Sequence, residues 1–256
     1  MGATLAGLLT GIAAGFVGVG GGEFRIPVLI RVLRFSVHAA AGVNLIVGLF
    51  TVALSAYRRL GQQAISDDAV TLAWVMGIAS IAGAVIGVAS RTRIGVGPLI
   101  LVVRIYLILA GAWMLYESIW HAHHVLADPQ GMTRWVLAAV AAFTIAAVSG
   151  VMGVAGGEMR IPVLLYLFSI PIIEAGTLSL LVSIPTVASG AITDRRLGGI
   201  RDSALRVALI MGSASAVGVL AGAALVPYAN RETIKGVLGA VLLMAAVRLD
   251  TVEQKV

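Results

Sequence analysis

Two glutamates and two arginines stand in sequence so apolar that little water would be near to receive them. Glu23 and Arg25 lie in GVGGGEFRIPVLI (Gly18–Ile30), and Glu158 and Arg160 lie in GVAGGEMRIPVLL (Gly153–Leu165). A charge at bilayer depth costs about 2.5–3.5 kcal/mol even on the gentler scale, so it is retained where it pairs, binds or moves a charge. A guanidinium in a dry pocket suits the oxygens of an oxyanion. A nearby carboxylate balances that charge or carries a coupling proton. Both clusters follow glycines. A helix starting after Gly22 or Gly157 offers unpaired backbone N–H groups and the positive end of its dipole. Glycine at Gly21, Gly22, Gly156 and Gly157 lets that backbone approach a ligand, and such a terminus is a ready anion site. Pro27 and Pro162 are expected in the first helical turn, where a missing N–H matters little. Residues two apart on one helix do not face each other, so Glu–Arg pairing is expected between segments. The competing reading of these charges is a buried lock that fastens segments together.

The two motifs are 135 positions apart, and the same offset relates Gly15 to Gly150, Ile26 to Ile161, Val28 to Val163 and Leu29 to Leu164. It also sets Asn44-Leu45-Ile46-Val47 against Ser179-Leu180-Leu181-Val182, and Gly83 and Gly87 against Gly218 and Gly222. With a small slip, RRLG at Arg58–Gly61 meets RRLG at Arg195–Gly198. The chain reads as a tandem duplication, with a first repeat over 1–125, a connecting loop over 126–134 and a second repeat over 135–256. Asn44 and Ser179 then hold equivalent places, as neutral donors to an anion or as ordinary interhelical polar contacts. The G-x-x-x-G spacings of Gly83/Gly87 and Gly218/Gly222 point to close helix packing. Arg104 reaches an interface from inside its span, Asp67 and Asp68 are expected to cap the span that follows them, and His121, His123 and His124 read as solvated loop.

The elements that must position these residues are membrane helices. The chain has 256 residues, 59% hydrophobic and 12% charged, about half the charge of a soluble domain. Apolar runs near the ~20 residues a bilayer span requires recur around Ala39–Ala56, Ala69–Ala89, Pro98–Tyr116, Trp135–Ser149, Ala175–Ile192, Val207–Val226 and Gly236–Val247. The fold class is an all-α polytopic membrane protein built from two tandem repeats of four hydrophobic segments. The first segment of each repeat is broken at the Gly-rich motif. Paired breaks at matching positions of two repeats point to a transporter's binding site. The formal charge of +6 rests mostly on arginines in short connections, as in cytoplasmic membrane loops rather than a nucleic-acid surface. There are no cysteines, so disulfides and thiolate metal sites are excluded, and no cofactor or metal is implied. The amino terminus lacks a basic region and cleavage pattern, so no cleaved signal peptide is expected. GVGGGE lacks the Lys-Ser/Thr of a nucleotide-binding loop.

The direction of the repeats stays open. If each broken segment crosses the membrane, the repeats are parallel and Arg58, Arg59, Arg134, Arg195, Arg196, Arg201 and Arg206 share one face. If it is re-entrant, the repeats are inverted, Arg91 and Arg93 join Arg195–Arg206, and Arg58 and Arg59 lie opposite. The positive-inside rule leans slightly to the parallel arrangement.

The run G-x-x-G-x-G-G-G at Gly15–Gly22, followed by IPVL, resembles the TauE/SafE family of anion permeases. Its return at Gly150–Leu164, with Ala-Gly-Thr and Ser-Leu-Leu-Val within Ala175–Val182, carries the resemblance across the whole chain. Here EFR and EMR replace the family's mostly apolar residues between glycines and proline, and GVN (Gly42–Asn44) stands for its GTS-like element. The resemblance implies a duplicated four-segment unit and a secondary transporter, in the exporting direction, for sulfite or a short organosulfonate. Alternating access would occur around the broken helices in the cell inner (plasma) membrane. Arg25 and Arg160 would then contact the substrate, with Glu23 and Glu158 balancing charge or carrying a proton. A passive anion channel, an importer of a related sulfur or carboxylate anion, and a membrane-embedded enzyme using the glutamates are the alternatives. The enzyme is weakened by the lack of a nucleophile or metal constellation. The partners implied are a small anion and the lipid bilayer, not nucleic acid; a homo-oligomer is compatible.

Overall fold

A computed structural model describes residues 2–62, 65–94, 96–121, 126–200 and 202–253. Among these residues all regular secondary structure is helical. In order come α1 (Gly2–Val17), α2 (Gly22–Arg31), α3 (Val37–Leu60), α4 (Asp67–Ser90), α5 (Val96–Trp120), α6 (Gly131–Met152), α7 (Gly157–Leu167), α8 (Ile172–Arg196), α9 (Asp202–Leu225) and α10 (Arg231–Glu253). Six of them, α3, α4, α5, α6, α8 and α9, carry stretches long and apolar enough to cross a membrane. Their outward faces show Trp74, Ile78, Val102, Leu109 and Val140 to the surroundings, the residue types a lipid-facing surface requires.

Small residues fix which helices touch and in which direction. Gly7, Gly11 and Gly15 of α1 face Met211, Ser215 and Val219 of α9 in turn, so these two helices run parallel. Gly83 and Gly87 of α4 face Phe143 and Ala147 of α6 in the same sense. The expected close packing at Gly83, Gly87, Gly218 and Gly222 is therefore present, each residue lying against the backbone of a neighbouring helix. By the same reading α3 runs with α9, since Gly42 meets Ile200 and Phe50 meets Gly212, and α4 runs with α8, since Ser66 meets Glu174 and Gly77 meets Pro185. The pairs α3/α8 and α5/α10 are antiparallel: Leu45 meets Gly190 while Arg59 meets Gly176, and Gly111 meets Leu242 while Ser118 meets Glu232.

These registers divide the long helices into two sets. Helices α1, α3 and α9 point one way; α4, α6 and α8 point the other. Because α1 and α3 agree, α2 between them must carry the chain back, and α7 does the same between α6 and α8. The glycine break therefore reverses the chain; it does not kink one continuing span. Each 135-residue interval consequently contains five helices where the apolar pattern indicated four segments. Gly21, just before α2, accordingly lies back against the Thr10 carbonyl and Ala14 of α1, and Gly156 lies back against Ile145 and Ser149 of α6. At the far end of α7, the Leu126 N–H donates to the Tyr166 carbonyl at 3.0 Å, next to the start of α6.

Two local expectations change. Pro27 and Pro162 are the sixth residues of α2 and α7, not members of the first turn, because both helices begin at the last glycine. Pro162 thus withholds the N–H that the Glu158 carbonyl would otherwise receive. The cap of α4 is Ser66, whose hydroxyl accepts from the Ala69 N–H at 3.3 Å. Asp67 and Asp68 instead occupy its first turn, where the dipole favours acids.

Candidate functional site

Both breaks lie in the interior and meet. Gly18 and Gly153 take φ of 92° and 75°, and Gly21 and Gly156 take φ of 66° and 77°. These are left-handed conformations that cost an L-residue with a side chain about 1–2 kcal/mol, which explains why glycine recurs at both offsets. Gly20 packs so closely on Ala155 that an added Cβ would lie 2.5 Å from the alanine methyl. A Cβ on Gly157 would lie 3.1 Å from the Val19 Cα, and one on Gly22 would lie 3.3 Å from a Val154 methyl. The non-helical residues of one break are thus laid against those of the other, with α2 and α7 starting on either side and leaving in opposite directions.

Non-helical backbone inside a membrane needs partners, and side chains supply them. Asn44 Nδ2 donates to the Gly153 carbonyl at 2.7 Å, and the Arg25 Nη2 donates to the Gly20 carbonyl. Arg59 holds the end of α1, its Nε donating to the Gly15 carbonyl at 3.2 Å and its Nη2 to the Phe16 carbonyl. Arg91 holds the end of α6 through the Val151 carbonyl at 3.1 Å and the Gly150 carbonyl at 2.7 Å. It also pairs with Asp194 at 2.6 Å. The carbonyl ends of α1 and α6 are the negative ends of their dipoles, where a guanidinium is favoured.

The two central arginines differ in their surroundings, although both are fully buried. Arg25 Nε donates to Asn44 Oδ1 at 3.0 Å, and its Nη1 donates to Thr51 Oγ1 at 2.8 Å and Ser215 Oγ at 3.4 Å. With the bond from Nη2, every nitrogen of its guanidinium is engaged by protein. Arg160 donates only from Nη1, to the Ser179 carbonyl at 3.0 Å and Ser183 Oγ at 2.8 Å. Its Nε and Nη2, together with Ser179 Oγ and Ser149 Oγ, have no hydrogen-bond partner among the described residues. Glu158 is buried beside them, within electrostatic reach of Arg160 and of Tyr106. The Tyr106 hydroxyl donates to the Met159 carbonyl at 2.8 Å, tying α5 to the first turn of α7.

The profile of the sulfite exporter TauE/SafE family matches residues 3–249, nearly the whole chain. The chain belongs to the TauE/SafE family. It is therefore a multi-pass membrane protein of a family of transporters, not enzymes, and the family implies an anionic substrate. Neither the curated proteins nor the solved structures contain a match to the chain.

Within this TauE/SafE chain, the structure draws Gly21, Gly22, Gly156, Gly157, Asn44, Ser179, Arg25, Arg160 and Glu158 into one buried region around the breaks. The side chain of Glu23 lies outside the described residues, as do His123 and His124, while His121 is exposed. Sequence reading missed several buried charges. Arg59 and Arg91, taken as loop residues, are buried at helix ends, and Arg134 is buried while bridging Asp68 at 2.7 Å and Asp128 at 3.2 Å. Glu117 of α5 receives Lys235 of α10 at 2.7 Å and the Tyr166 hydroxyl of α7 at 3.1 Å. The available signal for Glu117 and Asp194 was an acid near the end of an apolar run, a pattern that also describes a solvated boundary residue.

Proposed function

We propose that this chain is a secondary transporter, working in the exporting direction, for sulfite or a short organosulfonate, and that it operates by alternating access. The observation that carries the reading is the meeting of the two breaks. Two helix starts, oppositely directed, adjoin the same packed centre from the two sides of the membrane. In this reading the chain is an inverted repeat of five helices, with 1–125 and 135–256 as its halves and 126–134 as the connection. Helices at the 135-residue offset run in opposite senses, which is the relation that lets one packing arrangement be exchanged for its mirror counterpart. The centre is closed as described, with Gly20 on Ala155 and Gly157 on Val19. Substrate entry from either face requires the breaks to part on that face.

The chemistry asked of the site is recognition of a small anion without a metal. The first N–H groups of α7, the Ser179 hydroxyl and the Arg160 guanidinium supply donors in a place from which water is excluded. Arg25 and Asn44 brace the first break against the second. Glu158 keeps the region from carrying an uncompensated positive charge when no anion is bound, and exchange of its proton would couple transport to a pH gradient.

Reconstitution in liposomes tests this. Radiolabelled sulfite should enter saturably and faster when unlabelled sulfite is held inside, which a carrier does and a pore does not. Single-channel currents without that acceleration would replace the carrier by an anion channel. Arg160→Ala should reduce flux at least about 100-fold, the scale of one buried charge-assisted contact, while Glu158→Gln should remove the response to a pH gradient.

A further inference from the structure

We infer that the chain holds a single anion, on the second-half side of the centre, and that Asn44 occupies the equivalent place on the first-half side. This rests on the transport reading above and deepens it. The two sides start from the same plan: Arg25 and Arg160 are at the same offset, both fully buried, and Asn44 and Ser179 stand at equivalent positions on α3 and α8, each against the glycine that opens the neighbouring short helix. On the first side, the Asn44 amide spans the gap. Its oxygen accepts from Arg25 Nε at 3.0 Å while its nitrogen donates to the Gly153 carbonyl at 2.7 Å. One amide therefore supplies what an anion and its neighbour would otherwise supply.

On the second side, serine is too short to do this. Arg160 Nε and Nη2 and the hydroxyls of Ser179 and Ser149 are left without partners among the described residues, although all three residues are fully buried. Unpartnered buried donors are costly, and here they gather at the N-terminus of an eleven-residue helix. Ser179 Oγ lies 3.2 Å from the Cβ position of Gly157, and Ser149 Oγ lies against that of Gly156. An oxyanion has the acceptor oxygens that this donor set lacks, and sulfite or a sulfonate head group presents three of them. The asymmetry also gives the serine–asparagine difference a function: asparagine closes one side, so that a single anion meets the Nε and Nη2 of Arg160, whose Nη1 is held by the Ser179 carbonyl and Ser183.

Ser179→Asn is the direct test. The new amide should accept from Arg160 Nε and donate toward the Gly18 carbonyl, reproducing the first side and displacing the anion. Binding of radiolabelled sulfite and of methanesulfonate to the detergent-solubilised chain should show one anion per chain for the parent. Ser179→Asn should bind at least about tenfold more weakly, with unchanged elution and an unlowered melting temperature, and its melting temperature should no longer rise with added sulfite. Should Ser179→Asn fail to fold, Ser179→Ala and the stoichiometry decide, with about threefold weaker binding expected for the lost hydroxyl. Two anions per parent chain, or undiminished sulfite binding by the Ser179 variants, would overturn the one-sided site while leaving transport standing. A parent chain that neither binds nor moves sulfite or methanesulfonate would overturn the transport reading itself.

Discussion

Arg91 and Arg59 do the same task at opposite ends of the molecule with different electrostatics. Each presents a guanidinium to the last carbonyls of an entering helix, α6 or α1, but among the described residues only Arg91 has a carboxylate against it. Removing one partner of a buried pair strands the other, at a cost of about 3–5 kcal/mol, whereas removing both is far milder. Asp194→Leu should therefore lower unfolding stability by about that amount, and adding Arg91→Met should restore only part of it, because the Val151 and Gly150 carbonyls then lose their donor, measured as a double-mutant cycle in detergent. Gly156→Ala should cost at least about 1–2 kcal/mol, because an L-side chain is strained at φ 77° and its Cβ would also run into the Ser149 hydroxyl. At this scale the sequence was a partial guide. The clusters at Glu158/Arg160 and Asn44/Ser179 were visible because charge and polarity stand out against apolar neighbours. Arg59 and Arg91 were not, because an arginine ending an apolar run looks the same whether it meets water or a neighbour's helix end. The difference in hydrogen bonding between Arg25 and Arg160 was equally hidden, since it turns on the reach of an asparagine on another helix.

The helices are joined by glycine, and the fit is tight enough to distinguish positions. A Cβ on Gly87 would strike the Ala147 carbonyl, whereas one on Gly77 would sit 3.6 Å from Pro185, an ordinary contact. Gly87→Ala should thus force α4 from α6 and cost about 1–3 kcal/mol. Gly77→Ala should be neutral or stabilising by up to about 1 kcal/mol through helix propensity, read for both as melting temperature in one detergent. The existence of the helices and of the two breaks was legible from hydrophobic run length and glycine placement. Their direction was not. An apolar run has the same composition read up or down the membrane, so a chain that reverses at the glycines and one that continues give the same pattern. What decides is which glycine faces which neighbour, and that information exists only after packing.

For the molecule as a whole, the helix directions gather Arg31, Arg34, Arg93, Arg195 and Arg196 at one face and Arg58 and Arg231 at the other. On the inverted arrangement proposed above, the positive-inside rule assigns the first face to the cytoplasm, whereas loop arginines alone leaned slightly to parallel repeats. The chain contains no cysteine, so single cysteines report cleanly. Arg34→Cys, Arg93→Cys and Arg196→Cys should react with an impermeant maleimide only from the cytoplasmic side, and Gln62→Cys and Tyr228→Cys only from outside. Labelling of Gln62→Cys and Arg196→Cys from the same side would dismiss the inverted arrangement.

The pairing of α1 with α9, and of α6 with α4, means that each half lends its entering helix to the other. Neither half contains the surface its own first helix needs. During synthesis, α1 emerges some two hundred residues before α9 can receive it, a wait of roughly 10–40 s at ordinary elongation rates. For that interval its glycine stripe has no permanent neighbour. The insertion machinery, or a provisional partner within the bilayer, must shelter it, so slowed translation between α2 and α9 should expose the nascent chain to membrane proteases for longer.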